Sequence, residues 1–283
     1  MSILLTEADG LTTVQDLGRP GLAHLGVPRA GALDAPAAAL ANRVVGNPRT
    51  AAVIETTMVG MRFTSRTPHW FAVTGARCEV IVDGRHEAHG EPFFAGAGAQ
   101  VVVGRALDGV RSYLGVAGGF DVDPVLGSRS TDTLSWTGPP RLSAGDEVLC
   151  GTPSGAPQGV ETPLPSPSGP LRLWPGPRAD WFATGAFEDL CAAQWVVGAD
   201  SNRIGLRLSG PAPVRTVPGE LASEGMVAGA VQVPPSGELV VFLADHPVTG
   251  GYPVLAVLDP RDLHRCAQVR PGERVRFSPA RGA

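Results

Sequence analysis

Short apolar runs separated by glycine-containing turns dominate the first half of the chain, a pattern typical of antiparallel β-strands. A first strand is predicted at Ser2–Leu5. From Val53 to Val103 the sequence predicts strands, with the runs MRFTSR, HWFAVTGA, CEVIVDG and AQVVVG, and residues 110–120 predict another strand that ends in paired glycines. The pattern therefore predicts a β-rich first half.

Helix signals are few. Asp34 is expected to cap a helix that has Pro36 in its first turn and is ended by Gly46. A second helical stretch is predicted at about 178–194, and a short third one from Asp259 to about Gln268.

Further strands are expected in the second half, at 171–176, 195–197, 204–208, 231–233 and 239–243. The composition agrees with a mainly β class, because 37 glycines and 27 prolines in 283 residues favour short strands and turns over long helices.

A stretch rich in Gly, Pro and Ser at 151–170 is interpreted as a linker between two β-rich lobes, 1–150 and 171–283. The segments RLSAGDEVLC at 141–150 and QVRPGERVRF at 268–277 resemble each other. This echo suggests that each lobe closes with the same hairpin-like element.

Charge, hydropathy and cysteine spacing exclude several classes of function. A net charge of −4 and the absence of a basic run argue against nucleic acid as a partner. No apolar run is long enough for a bilayer span, and Glu7 and Asp9 lie where a signal peptide would be apolar, so we expect a cytoplasmic protein without a membrane partner. The four cysteines are dispersed and are expected to be reduced core thiols.

All 23 basic residues are arginine. The absence of lysine excludes from this chain a Walker A lysine, a Schiff-base lysine and a biotin-carrying lysine. Any anion that the chain handles must therefore meet arginine or backbone amides.

The loop from Thr13 to Asp34 is the first candidate site. It places Gln15, Asp16 and Arg19 among glycines, with His24 further along. Glycines let backbone amides and a guanidinium approach one ligand closely. The alternative is an irregular connection in which Asp16 and Arg19 only pair with each other.

A second candidate, ADHPVTGGYP at 244–253, follows an apolar strand and offers an acid, an imidazole, a hydroxyl and two glycine amides suited to an anion nest. The alternative is a tight turn in which the glycines supply positive φ and Asp245 caps it.

A third candidate, SNRIGLRLSG at 201–210, is expected to place Arg203 and Arg207 on one face of a strand, where they could clamp a carboxylate or phosphate or simply face solvent. Glu220 and Glu224 are candidate partners.

Other chemistries lack support. The chain has no GxSxG elbow and no GxGxxG in a βαβ context, and His86 and His89 lie in a predicted turn, so we predict no metal site.

The motifs VQDLGRPG, GVPRAGALD, SNRIGLRLSG and GAVQVPPSGELVVFLADHPVTGGYP, in this order over nearly the whole chain, resemble the family of the C subunit of prokaryotic ATP-dependent 5-oxoprolinase. The same family is known as KipA or allophanate hydrolase subunit 2, and it is related to the carboxyltransferase region of urea amidolyase. The resemblance implies two cyclophilin-like β-barrel lobes.

The resemblance also implies an activity and partners in a heteromer. The KipI-like B subunit would work with this chain to activate 5-oxoproline, and the A subunit would then complete ring opening to glutamate. ATP and Mg2+ would be needed at the level of the complex. Alternatives are a carboxyltransferase-like or allophanate hydrolase role in urea-type metabolism, and a regulatory KipA-type binder of a kinase-inhibitor protein.

Carried onto this sequence, the family's QDxGR pattern lands on Gln15, Asp16, Gly18 and Arg19, and its GGYP pattern lands on Gly250, Gly251, Tyr252 and Pro253. Arg19 and Arg203 would meet anionic groups of substrate or phosphate, Asp16 would orient Arg19 or act as acid or base, and Gly250 and Gly251 would bind an oxyanion or carboxylate with their amides. The predicted catalytic residues are Asp16, Arg19, Arg203 and Asp245, and the predicted substrate-binding residues are Gln15, His24, Thr249, Gly250, Gly251 and Tyr252.

The chain departs from the family pattern at four positions. Family members often have SDRMG and TTGGYPK, where this chain has Asn202, Ile204, Val248 and Val254. A role that needs a carboxylate at 202 or an ammonium at 254 is therefore not available here.

Overall fold

A computed structural model describes residues 1–159, 169–219 and 221–281. The described chain is mainly β with short helices, which confirms the predicted class. It divides into two compact units, Met1–Arg19 with Ala30–Pro165 and Pro20–Arg29 with Ser166–Ala283. The middle of the Thr13–Asp34 loop thus groups with the second unit.

Two antiparallel sheets form the first unit. Its strands are β1 Ser2–Glu7, β2 Thr12–Gln15, β3 Val53–Thr57, β4 Met61–Ser65, β5 His69–Gly75, β6 Val80–Val82, β7 Arg85–Glu87, β8 Pro92–Ala95, β9 Gln100–Val103, β10 Arg111–Val116 and β11 Glu147–Leu149. One sheet has the order β11-β1-β4-β9-β6-β7, and the other has the order β2-β3-β10-β5-β8.

Alternating apolar side chains from both sheets meet in one core. Ile3 and Phe63 come from the first sheet, and Ile54 and Phe71 from the second. The helix α1, Ala35–Val44, covers the other face of the second sheet. Asp34 caps it by accepting a hydrogen bond from Ala37 N, 3.0 Å away, which confirms that prediction.

The second unit is a closed seven-stranded barrel. Its strands and those of a small additional sheet are β12 Leu171–Pro175, β13 Gln194–Val197, β14 Gly205–Ser209, β15 Glu224–Gly225, β16 Ala230–Gln232, β17 Leu239–Phe242, β18 Thr249–Gly250, β19 Val254–Leu258 and β20 Arg274–Pro279. The barrel order is β12-β19-β16-β17-β14-β13-β20, closed by a parallel pairing of β20 with β12. Strands β15 and β18 pair separately.

The long helix predicted at 178–194 is wrong in extent. A 3-10 turn at Ala179–Trp181 is followed by extended backbone at Phe182, and the helix α2 covers only Ala186–Ala192. Gly185, with φ of 87°, separates the two pieces because a left-handed residue cannot continue a right-handed helix. The predicted third helix is a 3-10 helix, Pro260–Ala267, capped by Asp259.

The echoed segments share a turn but form no hairpin. In the first, Ser143 N donates to the Asp146 carboxylate at 2.7 Å and Asp146 N donates back to Ser143 O at 3.2 Å. Arg270 and Glu273 repeat both bonds at 3.0 Å. The strands after these turns pair with strands from the start of each unit, β11 with β1 and β20 with β12.

Only the first part of the predicted 151–170 linker and its last two residues are described, and residues 160–168 lie outside the described chain. Within the first part, Gln158 N donates to Val44 O at 2.8 Å, so this part lies along the end of α1. None of the helices in the described ranges has the length and apolar character needed to cross a bilayer.

Candidate functional site

Gln15 ends β2 with its side chain fully buried. Its Nε2 donates to Thr13 Oγ1 at 2.9 Å and to Thr131 O at 3.0 Å. Its Oε1 has no hydrogen-bond partner among the described residues, which is unusual for a buried acceptor. Gln15 therefore joins the candidate loop to a second segment more than a hundred residues away.

Asp16 binds that same segment with its carboxylate. Oδ1 accepts from Ser128 Oγ and Ser130 Oγ, both at 2.6 Å, and from Gly18 N at 2.7 Å. Oδ2 accepts from Arg129 N at 2.7 Å. Four donors around one carboxylate compensate its charge and fix the backbone of residues 128–130.

Arg19 is buried, with 2% of its surface exposed. Its Nη2 donates to Ser130 O, and its Nε lies 3.4 Å from Val125 O. The guanidinium thus contacts the backbone that Asp16 holds from the other side. These contacts differ from the alternative interpretation, in which Asp16 and Arg19 only pair with each other.

The segment 125–137 that these residues hold is irregular and strained. Leu126 and Trp136 have left-handed φ of 52° and 56°, although each is a large residue and more than half exposed. Such a conformation costs roughly 1–2 kcal/mol per residue. Asp132 folds the following turn by accepting from Leu134 N and Ser135 N, both at 3.0 Å.

The far end of the Thr13–Asp34 loop is also anchored. Leu33 N donates to Glu55 Oε2 at 3.1 Å, and Asp34 N donates to Tyr113 Oη at 2.7 Å. Arg111 lies 3.5 Å from Glu55 in a buried ion pair. Burial, reinforced by the nearby charge of Glu55, raises the pKa of Tyr113 well above its usual value, so the phenol stays neutral and accepts from the amide.

Arg203 and Asp245 form a bidentate ion pair in the second unit. Arg203 Nε lies 2.8 Å from Oδ2 and Nη2 lies 3.0 Å from Oδ1, and both side chains are completely buried. Asp245 N also donates to Arg203 O at 3.1 Å. The pair ties the turn before β14 to the loop after β17. A direct contact of either residue with substrate stays a prediction.

The expectation that Arg203 and Arg207 share one face is wrong, because Arg203 is buried and Arg207 is exposed. Just before Arg203, Asn202 Oδ1 accepts from Ile204 N and Gly205 N, which turns the chain before the strand begins. A carboxylate could accept the same two bonds, so Asn202 can replace the family's aspartate in shaping this turn.

Glu224 pairs with Arg178 and not with Arg203 or Arg207. Glu220 lies outside the described residues. Since Glu224 faces Gly250 in the small sheet, the ion pair supports the strand pairing beside the TGGYP motif.

Gly250 and Gly251 do not have left-handed φ, so the positive-φ turn that we considered as an alternative is wrong. A larger residue at 250 would be crowded, because a Cβ there would lie 2.9 Å from Gln232 Nε2 and 3.2 Å from Met226 Cγ. The buried Gln232 donates to Tyr252 O at 3.0 Å and so fixes the end of the motif.

The remaining predicted ligand contacts are on the surface. His24 is exposed in a 3-10 turn and lies 3.0 Å from Gly21 O through Nδ1. Thr249 is exposed, and Tyr252 has 44% of its surface exposed. Polar side chains at these positions are accessible to a ligand.

The predicted residues therefore form two groups, each in one unit. The first contains Gln15, Asp16 and Arg19, and the second contains Arg203, Asp245, Thr249, Gly250, Gly251 and Tyr252, with His24 in the same unit. Sequence reasoning missed Ser128, Ser130, Asp132 and Gln232. The run SRSTDT, six residues without one apolar side chain, was the available signal for three of them.

Metal or thiol chemistry has little support. The described residues contain no group of three His, Cys, Asp or Glu side chains that could hold a metal ion. Burial raises the pKa of Cys150 and Cys266 to about 12 and that of Cys191 to about 11, so these thiols stay protonated at neutral pH.

Comparison with known proteins gives consistent matches. The family described as carboxyltransferase domain, subdomain A and B, matches residues 25–279. The C subunit of the 5-oxoprolinase from Escherichia coli is 38% identical over 94% of this chain and 87% of its own length.

Two solved structures also match. The protein TTHA0988 superimposes with a TM-score of 0.86 at 37% identity, over 98% of this chain and 55% of the solved one. The urea amidolyase of Kluyveromyces lactis gives a TM-score of 0.91 at 29% identity, over 98% of this chain and 18% of its own. The chain thus spans about half of the first solved relative and a smaller part of the second.

Proposed function

The chain belongs to the carboxyltransferase domain family, subdomain A and B, and we propose that it is the C subunit of an ATP-dependent 5-oxoprolinase. The observation that carries the proposal is the 38% identity to the Escherichia coli 5-oxoprolinase protein over 87% of that protein. A match over almost the whole of a relative supports a shared role better than a match to one part of a larger enzyme.

In this function the chain and the B subunit together activate 5-oxoproline, and the A subunit then hydrolyses the product to glutamate. ATP is a substrate of the complex. Mg2+ would be bound together with the phosphates of ATP at the level of the complex. The chain has no lysine, so it carries no covalent biotin.

The charged residues of each group are proposed to hold the surface of their own unit in shape. Asp16 and Arg19 fix the segment 125–137, and the pair Arg203–Asp245 fixes the loop after β17. The exposed His24, Thr249 and Tyr252 are the residues proposed to contact the substrate. A lactam carboxylate would be recognised by such hydroxyl and imidazole donors together with backbone amides.

The test is reconstitution. The chain is mixed with its two partner proteins from the same source, and glutamate release from 5-oxoproline is followed with and without ATP. We expect release that needs all three proteins and ATP. Release without this chain, or no release from the full mixture, would contradict the proposal.

A second candidate function is carboxyl transfer in urea-type metabolism. It is favoured by the TM-score of 0.91 to the Kluyveromyces lactis urea amidolyase. This role would need a biotin carrier and a biotin carboxylase on other chains. Adding urea, bicarbonate, ATP and a biotinylated carrier with its carboxylase to the chain and its KipI-like partner separates the two functions, since only this role predicts urea-dependent ATP consumption.

A further inference from the structure

His246 lies between Asp245 and the TGGYP motif, and the function proposed above gives it no role. It is buried, with 7% of its surface exposed. A mostly buried imidazole beside predicted substrate-binding residues can serve as an acid, a base or a hydrogen-bonding group.

The structure fixes which ring nitrogen carries the proton. Nδ1 lies 2.8 Å from Pro247 O. A carbonyl oxygen can only accept, so in the neutral ring Nδ1 carries the hydrogen and donates it. Nε2 is then the unprotonated nitrogen, with its lone pair left for another donor.

The ring is held in place from several sides. It stacks on Phe242 with centroids 5.8 Å apart and an angle of 18° between the planes. Its backbone N donates to Leu243 O at 3.3 Å. The preceding residue, Asp245, is locked by Arg203. A base that is positioned in advance needs little reorganisation when the reaction starts.

Burial favours the neutral form of the His246 ring. Burial lowers the pKa of His246, and the hydrogen bond to Pro247 and the charge of Asp245 oppose that shift. The charge of Asp245 is matched by the buried guanidinium of Arg203.

We propose that His246 Nε2 accepts the N–H proton of the lactam ring while the lactam carbonyl oxygen is activated. This role rests on the proposed 5-oxoprolinase function and adds a catalytic base to it. Loss of the N–H proton during the attack lets the nitrogen electrons move into the C–N bond, which makes the carbonyl oxygen a stronger nucleophile, and a neutral imidazole can accept a proton near neutral pH.

Atoms and electrons balance in this step. The lactam N–H bond breaks and the proton moves to Nε2. The nitrogen electrons form a C=N bond, and the carbonyl electrons form a bond from oxygen to the γ-phosphorus of ATP. The bond from that phosphorus to the β,γ-bridging oxygen breaks, and ADP leaves.

Three substitutions in the reconstituted complex test the role. In His246→Asn the amide nitrogen takes the place of Nδ1, so the bond to Pro247 is kept and the base is lost. In His246→Gln the amide oxygen can accept a hydrogen bond near Nε2 but cannot take a proton. In His246→Phe the stacking on Phe242 is kept without any polar group.

We expect kcat to fall about 100-fold or more in all three variants, as is typical for loss of a general base. The KM for 5-oxoproline should stay near the wild-type value in His246→Gln. The wild-type pH profile should show an acid limb below the ordinary histidine pKa of 6.5 that the variants lack. Activity within about threefold of wild type in His246→Phe or His246→Asn would overturn the proposal.

Nitrogen NMR of the isolated chain provides a readout that needs no turnover. We expect the Nδ1-protonated tautomer for His246, and an Nε2-protonated ring would overturn the proposal. Absence of glutamate release by the wild-type complex would refute the proposed function together with this base. Wild-type release with an undiminished His246→Asn complex would refute only the base.

Discussion

The two groups of predicted residues each contain a buried arginine and an aspartate, but they use them differently. In the second unit Arg203 and Asp245 neutralise each other through two direct hydrogen bonds. In the first unit Asp16 is surrounded by hydroxyls and amides, and Arg19 contacts backbone carbonyls. In the second unit the two charges compensate each other directly. In the first unit each charge is compensated by the dipoles of hydroxyl, amide and carbonyl groups.

The difference predicts different responses to substitution. A buried ion pair is costly to break because one charge is left without compensation, yet both charges can often be replaced together. A carboxylate that organises a loop cannot be replaced in this way, because its donors are fixed parts of that loop. Substitutions in each group test this contrast, and the largest effect is expected at the ion pair.

Removal of one partner of the buried pair should have the largest effect. We expect Asp245→Ala or Arg203→Met to lower the free energy of unfolding by about 3–5 kcal/mol. The double variant Arg203→Met with Asp245→Leu should lose less than either single variant. Denaturant unfolding of the full chain measures all three.

Arg207→Met is the matched control, since Arg207 is exposed a few residues away on β14. It should change the unfolding free energy by less than about 0.5 kcal/mol. If the double variant were as unstable as the sum of the singles, the pair would not act as a unit.

The second largest effect is expected at Asp16. Asp16→Ala removes the acceptor of four hydrogen bonds and should cost about 2–3 kcal/mol, with loss of order confined to residues 125–137. Left-handed Leu126 and Trp136 should then relax, because the contacts of Asp16 that hold this segment would be lost. Hydrogen exchange of the segment measures this directly.

Asp123→Ala is the control, because Asp123 is exposed close to the same segment. It should leave exchange in 125–137 unchanged. An Asp16→Ala protein with normal protection there would show that Arg19 alone holds the segment.

Local features of the fold could be predicted from sequence because their causes are local. Asp34, Pro36 and Gly46 marked α1 correctly. The repeated turn at 143–146 and 270–273 could be recognised from the similarity of the two sequence segments. In each turn a backbone N–H donates to the carboxylate of the acidic residue three positions later, so the contact is local. The pairing of the strand after each turn was not predictable, since the partner strand lies elsewhere in the chain.

The candidate sites show more clearly which contacts cannot be predicted from sequence alone. Asp16 binds Ser128 and Ser130, which are 112 and 114 residues away, and Arg203 binds Asp245, 42 residues away. No periodicity or spacing links such pairs. The sequence could indicate that Asp16 and Arg203 matter, but only the fold shows whether they meet a ligand or another part of the chain.

A third and smaller effect is expected at the TGGYP motif. The Cβ of Gly250→Ala would press on Gln232 and Met226, and such overpacking should cost about 1–2 kcal/mol. Gly225→Ala is a suitable control, because Gly225 lies on the facing strand β15 with nothing within 4 Å of its Cβ position. Equal unfolding free energies for the two variants would show that close packing is not why glycine is present at 250.

The smallest expected effect is a loss of folding stability at acidic pH. Burial lowers the pKa of His69 and His89 in the first unit and of His246 in the second. The unfolded chain therefore binds protons first as the pH falls below the ordinary histidine value of 6.5, so the folded state loses stability there. Above that pH the three rings are neutral in both states and contribute no pH dependence.

Unfolding free energies measured at the ordinary histidine pKa of about 6.5 and at about one pH unit above and below it would show this loss of stability. His69→Gln should flatten the pH dependence of the first unit, and His246→Asn should do the same for the second without affecting the first. A curve that stays as steep after His89→Gln is added to these two substitutions would place the acid sensitivity in groups other than the three histidines.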